Sequence, residues 1–298
     1  MSRGTFRTRL SSASMKASFH RSLAEFWQRA RGLYEADPVT HTNAVWIAAS
    51  AEVYRDSVPM LCTLATDGGE LGAAYLRTPP HPGLVSALRP EWTPVAVEAL
   101  LERDPQLPGV QGPVEEAEAF AEAWTARTGT EAVTHMEQSL YRLGDLRVPG
   151  PPRGVAENAH DGDLAWLAQA HREFAVEAGG TYQVEEPDVV AMRAVLDAGQ
   201  RGVLWKVDGE PVACAFWTRP VVGMSRILRV YTEPAHRGRG YGSAVTAAAS
   251  RRARAAGANE VVLFTDRANP VSNSIYRRLG YVPVSRMVML DFVAAPGT

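Results

Sequence analysis

Residues 237–242, RGRGYG, set three alternating glycines beside two arginines, between the apolar run ILRVYT and an alanine-rich helical run. A strand that turns through glycines into a helix aims several unpaired backbone N–H groups at one point. The helix dipole makes that point attractive to an anion, phosphate above all. Glycine lets the ligand approach the main chain because no Cβ intervenes, and Arg237 and Arg239 add charge-assisted contacts to phosphate oxygens. The plain alternative is a solvated surface turn. The spacing is neither the dinucleotide G-x-G-x-x-G pattern nor the Walker G-x-x-x-x-G-K-[ST] pattern. Downstream, in LFTDRANPVSNSIYRRLGYVPV (263–284), Asn269-Pro270 opens a helix and Gly280 closes it. That punctuation does not account for Tyr276 within the helix, which taken alone reads as a core or interface residue.

These residues need a scaffold, and the pattern supplies one of alternating strands and helices. A helical rhythm runs over 19–31, apolar runs follow at 45–50 and 60–66, and LGAAYL returns after the turn DGGE as a hairpin partner. Helices are predicted over 94–103 and 114–127 and a strand over 131–141; the Pro/Gly cluster after it, 146–151, is the linker. Beyond it come helices over 163–178 and 186–198 and strands over 201–207 and 211–218 around the turn VDGE. A strand over 224–232 feeds the glycine turn and a helix reaching about 256; EVVLFT, a helix over 271–279 and YVPVSRMVMLDF close the chain. The fold class is α/β, a mixed α+β sandwich. The expected organisation is a tail over 1–18, a unit over 19–145, a linker over 146–151, a second unit over 152–291 and a tail over 292–298.

The two units carry a faint repeat. DGGELGAAYLRTPP (67–80) parallels VDGEPVACAFWTRP (207–220), and both GPVEEAEAFAEAW and NPVSNSIYRRLG enter a helix through Pro-Val. Aligning Pro113 with Pro270 puts Ala119 where the second unit has Tyr276, and the first unit has no glycine-arginine turn. It is thus expected to be a degenerate copy that supports the other unit, covers its substrate cleft or forms a subunit contact such as a homodimer's. Trp46, Tyr54, Trp92 and Trp124 are read as core residues by default.

A net charge of −2 over 298 residues carries no electrostatic footprint of nucleic-acid binding. The two cysteines, Cys62 and Cys214, sit in apolar runs and read as core residues, not as a disulfide framework or zinc site, and no metal is expected. No stretch approaches the length of a membrane span and the basic, Ser-rich start lacks a signal-peptide core, so a cytoplasmic protein is expected. The Ala, Arg, Gly and Pro content is that of a high-GC bacterial background.

The segment RGRGYG, with ILRVYTEPAHR before it and LFTDRANPVSNSIYRRLGYVPV after it, resembles the GCN5-related N-acetyltransferase (GNAT) superfamily, whose pyrophosphate-binding segment is R/Q-x-x-G-x-G/A. The resemblance covers about 152–291, and the first unit looks like a worn copy of the same tandem acyl-CoA N-acyltransferase-like fold, a central mixed sheet in each unit. It implies acetyl-CoA as acyl donor, held by Arg237, Gly238, Arg239, Gly240, Tyr241 and Gly242 at the turn. Backbone groups around Val230 and Thr232 take the pantetheine arm, and Asn269 and Asn273 help to seat coenzyme A. It also implies direct attack of a primary amine on the thioester through a tetrahedral intermediate, with Tyr276 protonating the departing thiolate. The strand 224–232 lacks the Glu that some members use as a base. Glu137, His135, His171, Glu173 and Glu177 are left as side chains that read first as structural. A small-molecule amine is the leading acceptor; a protein amine, a longer acyl group, or a coenzyme A-binding sensor without turnover are the other readings.

Overall fold

A computed structural model describes residues 15–50, 58–148, 150, 152–178 and 188–295. The first half runs β1 (Met15–Phe19), α1 (Leu23–Ala36), α2 (Thr42–Ala49), β2 (Met60–Thr66), β3 (Leu71–Arg77), β4 (Gly83–Ser86), α3 (Thr93–Leu101), β5 (Gly109–Pro113), α4 (Val114–Thr128) and β6 (Thr130–Leu143). The second runs β7 (Val155–Asn158), α5 (Leu164–Glu177), α6 (Val189–Asp197), β8 (Gln200–Val207), β9 (Glu210–Thr218), β10 (Met224–Thr232), α7 (Tyr241–Ala255), β11 (Glu260–Asp266), α8 (Pro270–Arg278) and β12 (Tyr281–Ala294). The two halves repeat one element order.

Local chemistry sets many of the boundaries. Ser22 caps α1 by accepting the Glu25 N–H at 3.2 Å, so that helix starts after residue 22 and not at 19. Asp188 caps α6 through the Ala191 N–H at 2.8 Å, and Gly129, at φ 72°, closes α4 in the left-handed conformation that a β-carbon disfavours. Three expectations are corrected. The run 45–50 lies in α2 and the residue just after it; the segment expected as a tail includes β1; and β12 runs on to Ala294, beyond 291. In each of the two end segments a strand-forming run adds to an existing sheet and so gains partners that its composition does not advertise. Strands β4 and β5 are short and were not anticipated. Tyr54, and the start of the helix expected over 186–198, lie outside the described residues.

The two central sheets are continuous. All twelve strands form one mixed sheet in the order β1-β2-β3-β4-β5-β12-β6-β11-β10-β9-β8-β7. Each half has exchanged its last strand: β6, from the first half, pairs antiparallel with β11, while β12, from the second, pairs antiparallel with β5. The two exchanged strands pair with each other from Tyr281↔Leu143 to Ala294↔Thr130. Alternation then divides their side chains between two faces. Tyr141 and Leu143 join the core under α7 and α8, while Leu140 and Met287 join the core under α1 and α2. In the first unit Phe120, Trp124 and Phe292 form a stacked column, the last two rings 5.7 Å apart, so β12 supplies the end of a column begun on α4. Trp46 and Trp124 are core residues, and Trp92 lies half-buried over Gly72.

The α1–α2 layer reaches past its own unit. Val262 and Met224 of β11 and β10 belong to its core, the Thr42 hydroxyl meets the Met224 sulfur at 3.0 Å, and Asn43 accepts from the Arg226 guanidinium. Leu140 therefore comes from one half and is buried among elements of both. Its replacement by Ala removes buried methyl groups at a cost of about 2–5 kcal/mol. The expected result is one cooperative calorimetric transition shifted down as a whole; two separate transitions, only one of them shifted, would show that the halves unfold independently.

Candidate functional site

Strands β10 and β11 are parallel and in register only from Met224↔Glu260 to Ile227↔Leu263. Both continue, to Thr232 and Asp266, without further pairing to each other, so the sheet opens at their carboxyl ends. On its other edge β10 matches Leu228 to Phe216 and then Tyr231 to Cys214, which inserts one extra residue at Arg229–Val230. Arg229 sits at φ 49°, the left-handed region that a non-glycine residue enters only when its surroundings hold it there. Its guanidinium lies 5.6 Å over the Phe216 ring and donates to the Gln200 side chain, which supplies that hold. Open strand ends in a parallel pair are where α/β sheets receive ligands.

The glycine turn stands beside this opening. A short 3₁₀ turn, Pro234–His236, leads into it, and Gly240 caps α7. The first helical bond is given by the Ala244 N–H to the Gly240 carbonyl at 3.0 Å, so the amides of Tyr241, Gly242 and Ser243 precede the ladder. No side chain caps them and no acidic residue occupies the first turn, so the positive end of the helix faces outward uncompensated. Gly238 and Gly240 lie at φ 76° and 84° with nothing within 4 Å of an added Cβ. Backbone conformation, not crowding, requires glycine at both positions. Gly242 is different: a Cβ there would approach the Thr232 hydroxyl to 3.3 Å.

The remaining residues anticipated from sequence divide by what they touch. Arg237 is committed locally: its Nε donates to the Thr232 carbonyl at 2.9 Å and its Nη2 to Glu177 at 2.6 Å, pinning the turn to β10 and α5. Arg239 is exposed at the tip. The Tyr241 ring is buried, which leaves its amide to serve the turn, and Val230 packs against the core under α7. Asn269 caps α8 through the Ser272 N–H at 3.0 Å. Asn273 donates to the Asp266 and Asn269 carbonyls at 2.9 and 2.6 Å and accepts the Tyr141 hydroxyl at 2.9 Å. Both carboxamides thus build the loop between β11 and α8.

Tyr276 is 7% exposed, with ring centroids 6.5 Å from Tyr141 and 6.0 Å from Tyr281. Burial pushes its hydroxyl up to about 12, so it holds its proton at any physiological pH. Cys214 is likewise pushed up to about 12 by burial, and a thiol held protonated is a poor nucleophile. The five side chains left open as bases have structural partners or altered charge. His135 meets Asp291 at 2.9 Å, Glu137 pairs with Arg267 at 3.0 Å, and Glu177 pairs with Arg237. His171 is lowered to about 4, by burial first and by Arg229 second. Glu173 accepts from the Tyr231 hydroxyl, the main cause of its lowered pKa.

Sequence reading missed Tyr141 as part of this site. It arrives on the exchanged strand β6, and no local pattern links it to Asn273. It also missed the bulge at Arg229, which leaves no mark in the strand's composition.

The profile of the acetyltransferase (GNAT) family matches residues 167–281, from α5 through α8. Residues 167–281 thus carry the sequence pattern of a GNAT domain. No curated protein matches it. A GCN5-related N-acetyltransferase from Kribbella flavida is 25% identical, with a TM-score of 0.54 over 76% of this chain and 88% of its own. A tandem GNAT protein from the clavulanic acid biosynthesis pathway aligns with a TM-score of 0.62 at 14% identity, over 96% of this chain and 100% of its own. A GCN5-related N-acetyltransferase from Sphaerobacter thermophilus gives 0.54 at 16% identity, over 95% of this chain and 97% of its own. The last two likenesses concern fold alone, and they span both halves of the present chain. Its mixed α/β architecture is that of the superfamily, consistent with a tandem arrangement. Among the described residues no helix is long and apolar enough to cross a membrane.

Replacing Gly240 by Ala forces a β-carbon into the left-handed region, at a cost of about 1–2 kcal/mol. Replacing Tyr141 by Phe deletes its bond to Asn273, worth about 1 kcal/mol. Thermal denaturation should show both losses, and unchanged stability in Tyr141→Phe would remove that residue from the loop's support.

Proposed function

We propose that this protein is an N-acetyltransferase that moves an acetyl group from acetyl-CoA to a primary amine of a small molecule. The observation that carries the reading is the juxtaposition of the open end of β10 with the uncapped, glycine-lined start of α7. These residues fit a pyrophosphate: outward amides, a positive helix end, room above Gly238 and Gly240, and no carboxylate in the first turn. Gly238, Arg239 and Gly240, with the amides of Tyr241 and Gly242, would hold the phosphates, and Arg237 would fix the turn's shape. Val230 and Thr232 would offer main-chain groups to the pantetheine arm, and Asn269 and Asn273 would maintain the wall beside it. Coenzyme A supplies the activated thioester when bound.

In the reaction the amine nitrogen bonds to the thioester carbonyl carbon and the carbon–sulfur bond breaks. A main-chain N–H near the bulge at Arg229–Val230 would steady the charge that develops on the carbonyl oxygen, and the register shift there supports that role. Tyr276 gives its phenolic proton to the departing thiolate and is reprotonated from solvent. The ammonium formed from the attacking amine loses its proton to water. Cys214 takes no part as a nucleophile, which agrees with direct transfer. The first half contributes in two ways: β6 brings Tyr141 beneath the loop that carries Asn273, and α2 brings Asn43 against β10. A cytoplasmic location belongs to the same reading.

Titration calorimetry with acetyl-CoA should give one saturable site per chain, lost in Gly240→Trp. Tyr276→Phe should bind the donor as the parent does while kcat falls about 10²-fold or more, the scale of general-acid catalysis. Because the Tyr276 pKa is raised to about 12, the acid step should not limit the rate on the alkaline side below about pH 10. A folded protein that fails to bind acetyl-, propionyl- or succinyl-CoA would overturn the reading. Binding without turnover on a broad amine panel would favour a sensor.

A further inference from the structure

The first half holds a cleft of about 640 Å³ between α1 and the first turn of α4, lined by Arg29, Leu33, Asp37, His41, Leu71 and Glu116 among others. It lies beyond the carboxyl ends of the parallel strands β4 and β5, the first half's counterparts of β10 and β11. That position in an α/β sheet is a general ligand-binding position. Yet the groove that opens between β10 and β11 is shut here. Pairing ends at Leu84↔Gln111, and the Val85 side chain fills the space beyond, within 2.6 Å of where a Cβ on Gly112 would stand. Glu116 Oε2 accepts the Leu88 N–H at 3.0 Å, so a carboxylate already occupies the amide just past β4. A phosphate ester is repelled from such a place.

The polar groups that remain select for the opposite charge. Asp37 stands at the mouth, accepting the Thr40 N–H at 3.0 Å, and Glu116 stands half-buried further in. Neither has an ion-pair partner among the described residues. Burial, with Asp37 adding to it, raises Glu116 to about 7, as expected of a carboxyl lacking a cation. Arg29 does not serve that need, since its guanidinium donates to the Gly69 carbonyl at 2.7 Å. His41 does not either, since burial lowers its pKa and favours the neutral ring. A metal ion would lack ligands: among the described residues no three His, Cys, Asp or Glu side chains gather closely enough to hold one. The walls at Leu33 and Leu71 are apolar and suit methylene groups.

We infer that this cleft binds a small organic polyamine, with its ammonium groups on Glu116 and Asp37 and its methylene chain along the apolar wall. The site is distinct from the one at β10 and Tyr276 and does not depend on the acyl-transfer reading.

The test is titration calorimetry of the full chain with 1,4-diaminobutane at about pH 8, without acetyl-CoA and beside 1,4-butanediol as the uncharged control. One saturable diamine site is expected, with no matching heat from the diol. Glu116→Gln, which keeps an acceptor for the Leu88 N–H, and Asp37→Asn, which keeps one for Thr40, should each weaken it about tenfold, the scale of one charge-assisted contact. Both variants should bind acetyl-CoA as the parent does, which separates this result from the fate of the other site. Heats indistinguishable from the diol's up to about 10 mM, a hundredfold weaker than an ordinary specific ligand, would overturn the inference. Diamine binding that is equal in the parent and both variants would overturn it as well.

Discussion

The antiparallel pairing of β6 with β12 is the constraint to which the rest of the molecule answers. Each strand pairs from end to end with its exchanged counterpart and, on its other side, over five residues with a strand from the other half of the sequence: β6 with β11 at Gln138–Arg142, β12 with β5 at Met287–Asp291. A 14-residue strand left without one neighbour would present a long row of unpaired donors and acceptors. The pairing removes two such edges at once. It also fixes register, because a one-residue slip would turn Tyr141 and Leu143 away from their core and bring Leu140 into it. From that register follow the aromatic cluster around Tyr276, the bond from Tyr141 to Asn273 and the stacked column ending at Phe292.

Seen from this pairing, the absence of a glycine-arginine turn from the first half and the presence of its scaffold are two separate matters. The turn after β4 has no counterpart of Gly238, Gly240 or Gly242, and its exit amide is answered by Glu116. None of this disturbs β6, α1 or α2, which carry the first half's contributions to the second. A unit can therefore lack that turn while its sheet remains indispensable to its neighbour.

What the sequence made legible was whatever is encoded locally. The glycine turn, the entry of α8 at Asn269-Pro270, its exit at Gly280 and the hairpin at Asp208-Gly209 each depend on a few adjacent residues with special backbone preferences, and each lies where its pattern placed it. The α/β class followed from the same punctuation. The strand exchange did not show, because a half-buried strand reads alike whichever sheet it joins. Short strands such as β4, four residues long, fall below the length at which periodicity can be recognised. At the site, the type of Tyr276 was legible but its surroundings were not, since Tyr141 and Tyr281 reach it only through the fold. Arg237 was legible as a cation near the turn, yet its commitment to Glu177 and Thr232 depends on where α5 comes to rest.

The exchange also sets an order on synthesis. Strand β6 is complete at Leu143, but its partners begin at Glu260 and Tyr281. While the intervening residues emerge from the ribosome, β5 and β6 both stand as bare sheet edges, one of them carrying tyrosine and leucine side chains meant for a core not yet made. The first half can finish folding only when the last strand of the second is released. The nascent chain thus bears its greatest exposure to misassociation late in translation, and a truncation near the C-terminus damages the N-terminal half as directly as its own.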